Sequence, residues 1–385
     1  MFTAGVVAEY NPFHNGHKYQ LEQTRKQGAD HIVVVMSGDA VQRGDVAVYS
    51  KYDRAQIALR NGADLVIELS APYSCAPAQV FAENAVRLLA GLGEGVVNAV
   101  SFGCACDNAK LLEKAQETCA ELEDCEQFKE LISSGLSYPA AMQKAAENEC
   151  DEVKDILSDA NNVLAIEYIK AAKKFAPWIS LMCVQRNGTF HDDMEINGDY
   201  ASASLIRKML KYSNKLDKLV PELPDASPAY LINMDKALLF RIMTADEDLV
   251  DELPFMTQSL ANRFFKAVQK CPQSVAEFEN LIKSKDITMA RIRRMIMHLA
   301  LGICDLDMKV SVPYGRILAL NERGAEILAA AKNRTLSYDT SLSKLETDID
   351  CRRVAMLEGN AVRLREICAG DEFSNEYTRK IVLTK

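Results

Sequence analysis

The residues best suited to chemistry stand together near the start of the chain, in Glu9-Tyr10-Asn11-Pro12-Phe13-His14-Asn15-Gly16-His17. Two imidazoles three residues apart flank a glycine, and each ring can donate a hydrogen bond to a phosphate oxygen. Gly16 lets backbone approach a ligand closely. Where a strand gives way to a helix, such a segment adds unsatisfied backbone N–H groups and the positive end of the helix dipole, a combination that attracts anions. Two histidines resting in a surface turn are the plain alternative. Metal binding is disfavoured, because no third His or Cys lies close to the pair in sequence. Other phosphate signatures are missing. There is no Gly-x-x-x-x-Gly-Lys-Ser/Thr run, and Gly91, Gly93 and Gly95 follow a helical stretch and precede a strand-like one, the reverse of the dinucleotide fingerprint.

Positioning the segment requires a sheet. Residues 4–9, 31–36, 65–69 and 96–102 are near-continuous apolar runs, as expected of strands buried on both faces. Between them, residues 17–27, 53–61 and 79–90 are helix candidates ending at Gly28, Gly62 and Gly91, with Phe81, Ala85, Leu88 and Leu89 forming one apolar stripe. This alternation predicts an α/β fold, a Rossmann-like parallel sheet with helices on both faces. Residues 108–160 read as an acidic helical insertion. A helix over 162–175, a strand-like run at 179–184 and a helix starting near Ser204 return the chain to the sheet. Pro221, Pro224 and Pro228 mark a junction that cannot be helical throughout, and a mostly helical region follows. Two domains are expected, over 1–220 and 221–385.

With 385 residues, 48% apolar and 26% charged, the chain falls outside the collagen-like, disordered and membrane-spanning classes. No run approaches the roughly 18–20 apolar residues of a membrane span, and the start has no basic leader, so a cytoplasmic protein is expected. Eleven cysteines without a Cys-x-x-Cys pair read as small buried hydrophobes. The net charge of −9 argues against coating nucleic acid through bulk charge. It is unevenly divided: residues 1–210 hold 19 basic and 29 acidic side chains, and 211–385 hold 26 and 25. Basic residues cluster in the second part. Arg291 and Arg294, three apart, share one helix face that Arg293 does not, and could meet a phosphate backbone. Tyr314, Arg316 and Arg323 form a second candidate patch.

His14-Asn15-Gly16-His17 after the first strand resembles the HxGH signature of the nucleotidyltransferase superfamily. Ser202-Ala203-Ser204-Leu205-Ile206-Arg207 resembles the downstream Ile-Ser-Ser-Thr-x-Ile-Arg motif of its adenylyltransferases. Residues 7–17, Met36-Ser37-Gly38-Asp39 with Gln42-Arg43-Gly44, residues 62–69, residues 161–168 and residues 290–294 together resemble the tRNA(Met) cytidine acetate ligase family. The likeness departs at Asp39-Ala40 and at Ser70, where that family is expected to carry other residues.

The resemblance implies an HxGH-type ATP-binding domain and a helical domain that contacts tRNA. It implies that acetate and ATP give acetyladenylate and pyrophosphate, and that the acetyl group then passes to N4 of the wobble cytidine of elongator tRNA(Met). His14 and His17 would be the catalytic pair, stabilising charge on the transferred and departing phosphates. Val7, Ala8, Glu9, Tyr10, Asn11, Pro12, Phe13, His14, Asn15, Gly16 and His17 would line the ATP site. Gly103 and Asn162 would serve its nucleoside side, Arg186 would meet the phosphate or acyl-adenylate, and Ser204 and Arg207 would hold the far phosphates. Arg291 and Arg294 would contact tRNA. Mg²⁺ is expected to accompany ATP, with no protein-bound metal site. The alternatives are a small-molecule adenylyltransferase of the pantetheine-phosphate or nicotinate-nucleotide kind, and a non-catalytic RNA-binding protein.

Overall fold

The computed structural model describes residues 1–104, 108–134, 136, 138–148, 151–185, 196–212 and 216–384. Its strands are β1 (Thr3–Ala8), β2 (His31–Ser37), β3 (Ala40–Val41), β4 (Asp45–Val46), β5 (Leu65–Leu69), β6 (Ala99–Cys104), β7 (Ser180–Gln185), β8 (Tyr314–Leu320), β9 (Ser337–Asp339) and β10 (Val382–Leu383). All but β3 and β4 form one sheet in the order β10-β8-β5-β2-β1-β6-β7, with β9 paired to β8. The five strands from β5 to β7 run parallel, as the apolar runs predict. Alternation along β2 explains why no polar face is needed. Val33 and Val35 pack under the helix Ala78–Ala90, through Phe81, Leu88 and Leu89. Ile32, Val34 and Met36 pack on the other side with Leu21, Tyr52 and Ala55, from the helices Asn15–Lys26 and Lys51–Arg60. Each such aliphatic side chain contributes about 1.5–3 kcal/mol on burial.

The acidic stretch forms the helices Ala109–Asp124, Glu126–Ser133, Tyr138–Ala145 and Asp151–Ser158, which lead into the helix Ala160–Phe175. The second half of the chain is helical over much of its length. Asp235–Met243, Gln258–Val268, Val275–Ile282 and Met289–Leu301 share a core that includes Phe264, Phe278 and Ile292.

That half also contributes to the sheet. β8 lies antiparallel on β5, with Leu320 opposite Leu65 and Arg316 opposite Glu68. This corrects the reading of Tyr314 and Arg316 as an RNA-facing patch. Both are only 1% exposed, because Tyr314–Leu320 is an apolar strand whose one cation is neutralised inside by Glu376. Beside it, Lys51 lies fully buried among three carboxylates, at 2.6 Å from Glu68, 3.0 Å from Glu358 and 2.9 Å from Glu376. The cluster joins β5, the helix Lys51–Arg60, the long helix Ile349–Ala369 and the segment leading to β10.

Candidate active site

Among the parallel strands, β1 lies between β2 and β6. From β1 the chain builds outward first through β2 and β5, then on the other side through β6 and β7. The crevice beyond the carboxyl ends of strands at such a reversal is where open α/β sheets bind ligands. Residues 9–14 leave β1 at that point, and Gly103 lies near the end of β6.

The histidines are fixed by the helix they begin. His14 is the N-cap of Asn15–Lys26. Its Nδ1 accepts a hydrogen bond from the Gly16 N–H at 3.1 Å, and His17 Nδ1 accepts from the His14 N–H at 3.2 Å. This reciprocal pair is a capping box built from two imidazoles. Since both Nδ1 atoms act as acceptors, each neutral ring carries its proton on Nε2, the arrangement needed to donate to an anion. The rings stack with centroids 3.7 Å apart, and His17 also packs edge-on to Tyr10 at 4.8 Å. Tyr10 adopts a left-handed backbone, φ 50°, which turns the chain out of β1. The glycine has a reason beyond ligand approach: a Cβ on Gly16 would lie 2.9 Å from His14 Cε1, so only glycine leaves room for the capping ring.

A cleft of about 750 Å³ opens over this corner. One wall is the β1 exit with Gly103, and a second comes from the helix Ala160–Phe175 and the insertion. The third carries Arg291, Arg294, Met295 and His298 on one face of the helix Met289–Leu301. The β3–β4 hairpin joins the first wall to the third. Glu9 Oε1 accepts from the Gln42 N–H at 2.7 Å, and Arg294 donates to the Gln42 carbonyl at 3.2 Å. At the hairpin's turn Gly44 has φ 75°, and a Cβ there would lie 2.3 Å from the Arg293 carbonyl carbon. The Gln42-Arg43-Gly44 motif is thus a docking point for the arginine-bearing helix. His298 pins the same helix from below, its Nε2 2.6 Å from the Cys75 carbonyl, while burial pushes its pKa down to about 4 and keeps it neutral.

Of the residues expected at the site, Val7, Ala8, Glu9, Tyr10, Asn11, His14, Gly16, His17, Gly103, Arg291 and Arg294 line the cleft. Pro12 and Phe13 do not; Phe13 is buried behind the motif against Tyr10. Asn15 turns its amide away, donating to the carbonyls of Asp199 and Lys218, and so ties the motif to the segment around the downstream helix. Asn162 is buried beside the cleft, and its neighbour Asn161 lines it. Ser204 and Arg207 lie on the helix Ala203–Leu210, next to the motif. Arg207 donates to the Asn11 carbonyl at 2.6 Å and to Ser204 Oγ at 3.2 Å. Arg186 falls outside the described residues. Arg291 and Arg294 do share one face, and burial lowers the pKa of both guanidinium groups while Arg293 turns outward to Glu279. Sequence reasoning assigned no role to Arg43, Glu167 or His298, which also line the cleft. The Gln42-Arg43-Gly44 and 161–168 motifs were the available signals for the first two.

The model of the family described as HIGH Nucleotidyl Transferase matches residues 1–377. The chain is 34% identical over 422 residues to the tRNA(Met) cytidine acetate ligase of Acetivibrio thermocellus, covering 100% of both chains. It is also 34% identical over 356 residues to the enzyme of that name from Thermoanaerobacter sp. (strain X514), covering 87% of each. The chain belongs to the tRNA(Met) cytidine acetate ligase family. The crystal structure of apo Thermotoga maritima TmcAL superposes with a TM-score of 0.89 at 26% identity, covering 100% of this chain and 99% of that one. The same protein bound with alpha-thio ATP superposes with a TM-score of 0.85 at 25% identity and the same coverage. In this ligase-family chain the HxGH signature is therefore also the capping device that holds its own imidazoles in register.

Proposed function

We propose that this protein is an ATP-dependent tRNA cytidine acetate ligase that joins acetate to the N4 amine of the wobble cytidine of elongator tRNA(Met) in the cytoplasm. The observation that carries the reading is the paired Nδ1 capping of His14 and His17, which directs two Nε2–H donors from a helix N-terminus at a topological switch point. Acetate is a poor acyl donor; attack of its carboxylate oxygen on the α-phosphorus of ATP expels pyrophosphate and leaves the acyl carbon attached to AMP, a good leaving group. The cytidine amine then attacks that carbon, loses a proton and releases AMP. The first step needs positioning and neutralisation of charge more than covalent help. The two imidazoles stabilise the transferred phosphate, and Ser204 and Arg207 hold the departing pyrophosphate. Gly103 and Asn162 lie on the nucleoside side, and Arg186 serves the acyl-adenylate. Among the described residues no cluster of His, Cys, Asp or Glu suits a resident metal, so Mg²⁺ is proposed to arrive on the triphosphate itself.

Residues 221–385 supply the tRNA side, with Arg291 and Arg294 meeting its backbone. Alanine at both positions is expected to raise KM for tRNA about tenfold or more and to lower the salt slope by about one to two charges, in steady-state assays over a range of salt concentrations. An unchanged salt slope would remove these arginines from the interface. The function itself is tested with labelled acetate, ATP and total tRNA: label must appear in N4-acetylcytidine after nuclease digestion. ATP–pyrophosphate exchange that depends on a phosphorylated metabolite and not on acetate would instead support a small-molecule adenylyltransferase.

A further inference from the structure

Phe255 stands at the cleft in a setting that folding alone does not favour for phenylalanine. It lies in the turn between the helices Glu247–Asp251 and Gln258–Val268, with a left-handed backbone, φ 58°. Glycine and asparagine adopt that conformation readily, whereas a bulky side chain is an outlier there, and such outliers gather at ligand-binding positions. The ring does not offset the strain by filling the core. It is 38% exposed, the most exposed aromatic side chain lining the cleft among the described residues. The half-buried rings at the cleft are engaged, Tyr19 with Tyr200 at 6.3 Å and Tyr138 with Phe128 at 5.5 Å between centroids, while Phe255 meets no aromatic ring among the described residues. Its backbone is nevertheless held in place. Buried Pro254 precedes it, Thr257 caps the helix that follows, and Arg291 donates to the Phe255 carbonyl at 3.1 Å.

We propose that the Phe255 ring is the platform on which the target cytosine stacks when it enters the cleft. This rests on the tRNA-acetylating reading of the site. Bases of single-stranded loops are recognised by splaying them out onto aromatic faces. Stacking suits acetylation at N4, because it grips the flat face of cytosine and leaves the edge bearing the amine free to meet the acyl carbon. Arg291 couples the ring to the charge of the nucleotide: one of its five N–H groups holds the Phe255 carbonyl, and the rest are donors for the adjoining phosphate. Adenine suits the ring less well, since Phe255 stands beside the arginine-bearing helix, on a different wall from Gly103 and Asn161.

The test compares acetate-dependent ATP–pyrophosphate exchange without tRNA against acetyl transfer to elongator tRNA(Met). Phe255→Ala is expected to lower kcat/KM for tRNA by about 5- to 100-fold, the worth of one base–aromatic stack, while exchange and the salt slope of tRNA binding keep their wild-type values. Phe255→Tyr and Phe255→Trp are expected to restore transfer, and Phe255→Leu, apolar but not planar, is not. Phe255→Gly relieves the backbone and is expected to unfold at a higher urea concentration than the alanine variant, yet to transfer no better. The base itself is tested with a tRNA that is abasic at the wobble position. The wild type is expected to bind it about 5- to 100-fold more weakly than intact tRNA, and the alanine variant to bind both alike. Wild-type transfer by the alanine variant overturns the inference, as does a glycine variant whose transfer recovers with its stability. So does an alanine variant that discriminates against the abasic tRNA as the wild type does, which would move the stack to a neighbouring base. A raised KM for ATP in exchange would move it to adenine and overturns it equally. A wild type that labels no tRNA sinks the functional reading beneath it, and this inference with it.

Discussion

The double variant His14→Asn, His17→Gln is expected to fold like the wild type and to lose acetate-dependent ATP–pyrophosphate exchange by about 10³-fold or more. The choice of substitutions separates two roles of the same rings. As caps, the imidazoles work through Nδ1, where His14 accepts from the Gly16 N–H and His17 from the His14 N–H. Asparagine at an N-cap and glutamine three residues later supply the same acceptors, and are among the residues favoured there. The helix should keep its start. The Nε2–H donors have no equivalent in the shorter amides. Loss of one preorganised donor to a developing oxyanion costs about 10²–10³ in rate, or roughly 3–4 kcal/mol. Thermal unfolding and exchange kinetics on the same samples check both halves. Alanine at His14 would confuse them, since a lost N-cap alone costs about 0.5–2 kcal/mol of stability. A variant that keeps wild-type exchange would show that the imidazoles only shape the turn and that acetate is activated without them.

Much of this was legible in the sequence because the signals are local. The runs 4–9, 31–36 and 65–69 mark strands buried on both faces: every residue of β2 and β5 is buried, and their aliphatic side chains divide between the two apolar clusters on either side of the sheet. His14 and His17 were identifiable by their spacing, because a strand-to-helix junction fixes where such residues must face. Legibility fails where a role depends on distant partners. Asn15 reads as a ligand contact within its motif, yet its amide holds the carbonyls of Asp199 and Lys218, about two hundred residues away. Arg316 reads as a surface cation, but β8 enters the sheet beside β5 and carries it into the interior. No periodicity in residues 314–320 announces antiparallel pairing with a strand more than two hundred positions earlier. The Gln42-Arg43-Gly44 motif was visible as a string and silent as to role, because its meaning lies in the backbone of Arg293 packed against Gly44.

The buried cluster that brings Arg316 inside supplies the largest expected effect on stability. Lys51 and Arg316 face Glu68, Glu358 and Glu376, two cations against three carboxyls. Burial and the neighbouring Glu358 push Glu68 up to about 8, whereas Lys51 and Arg316 overcome burial and hold Glu376 at about 2. With one carboxyl protonated, the charges balance at neutral pH. Lys51→Met removes half of the positive charge from a fully buried site, and is expected to destabilise the protein by about 3–5 kcal/mol in urea unfolding at pH 7. Glu68→Gln, which mimics the protonated carboxyl, should be tolerated. The pH dependence separates the two carboxylates. Glu376, depressed in the folded state, contributes stability that is full above its unfolded value of about 4.5 and is lost as pH falls toward 2. Glu68, raised in the folded state, contributes stability that is full below about 4.5 and declines as pH rises through 8, by up to about 1.4 kcal/mol per pH unit. Glu68→Gln should flatten the decline between pH 4.5 and 8 and leave the acid limb unchanged. A stability profile that keeps its slope in that variant would show that Glu68 is ionised in the folded protein, and that the cluster carries an uncompensated negative charge.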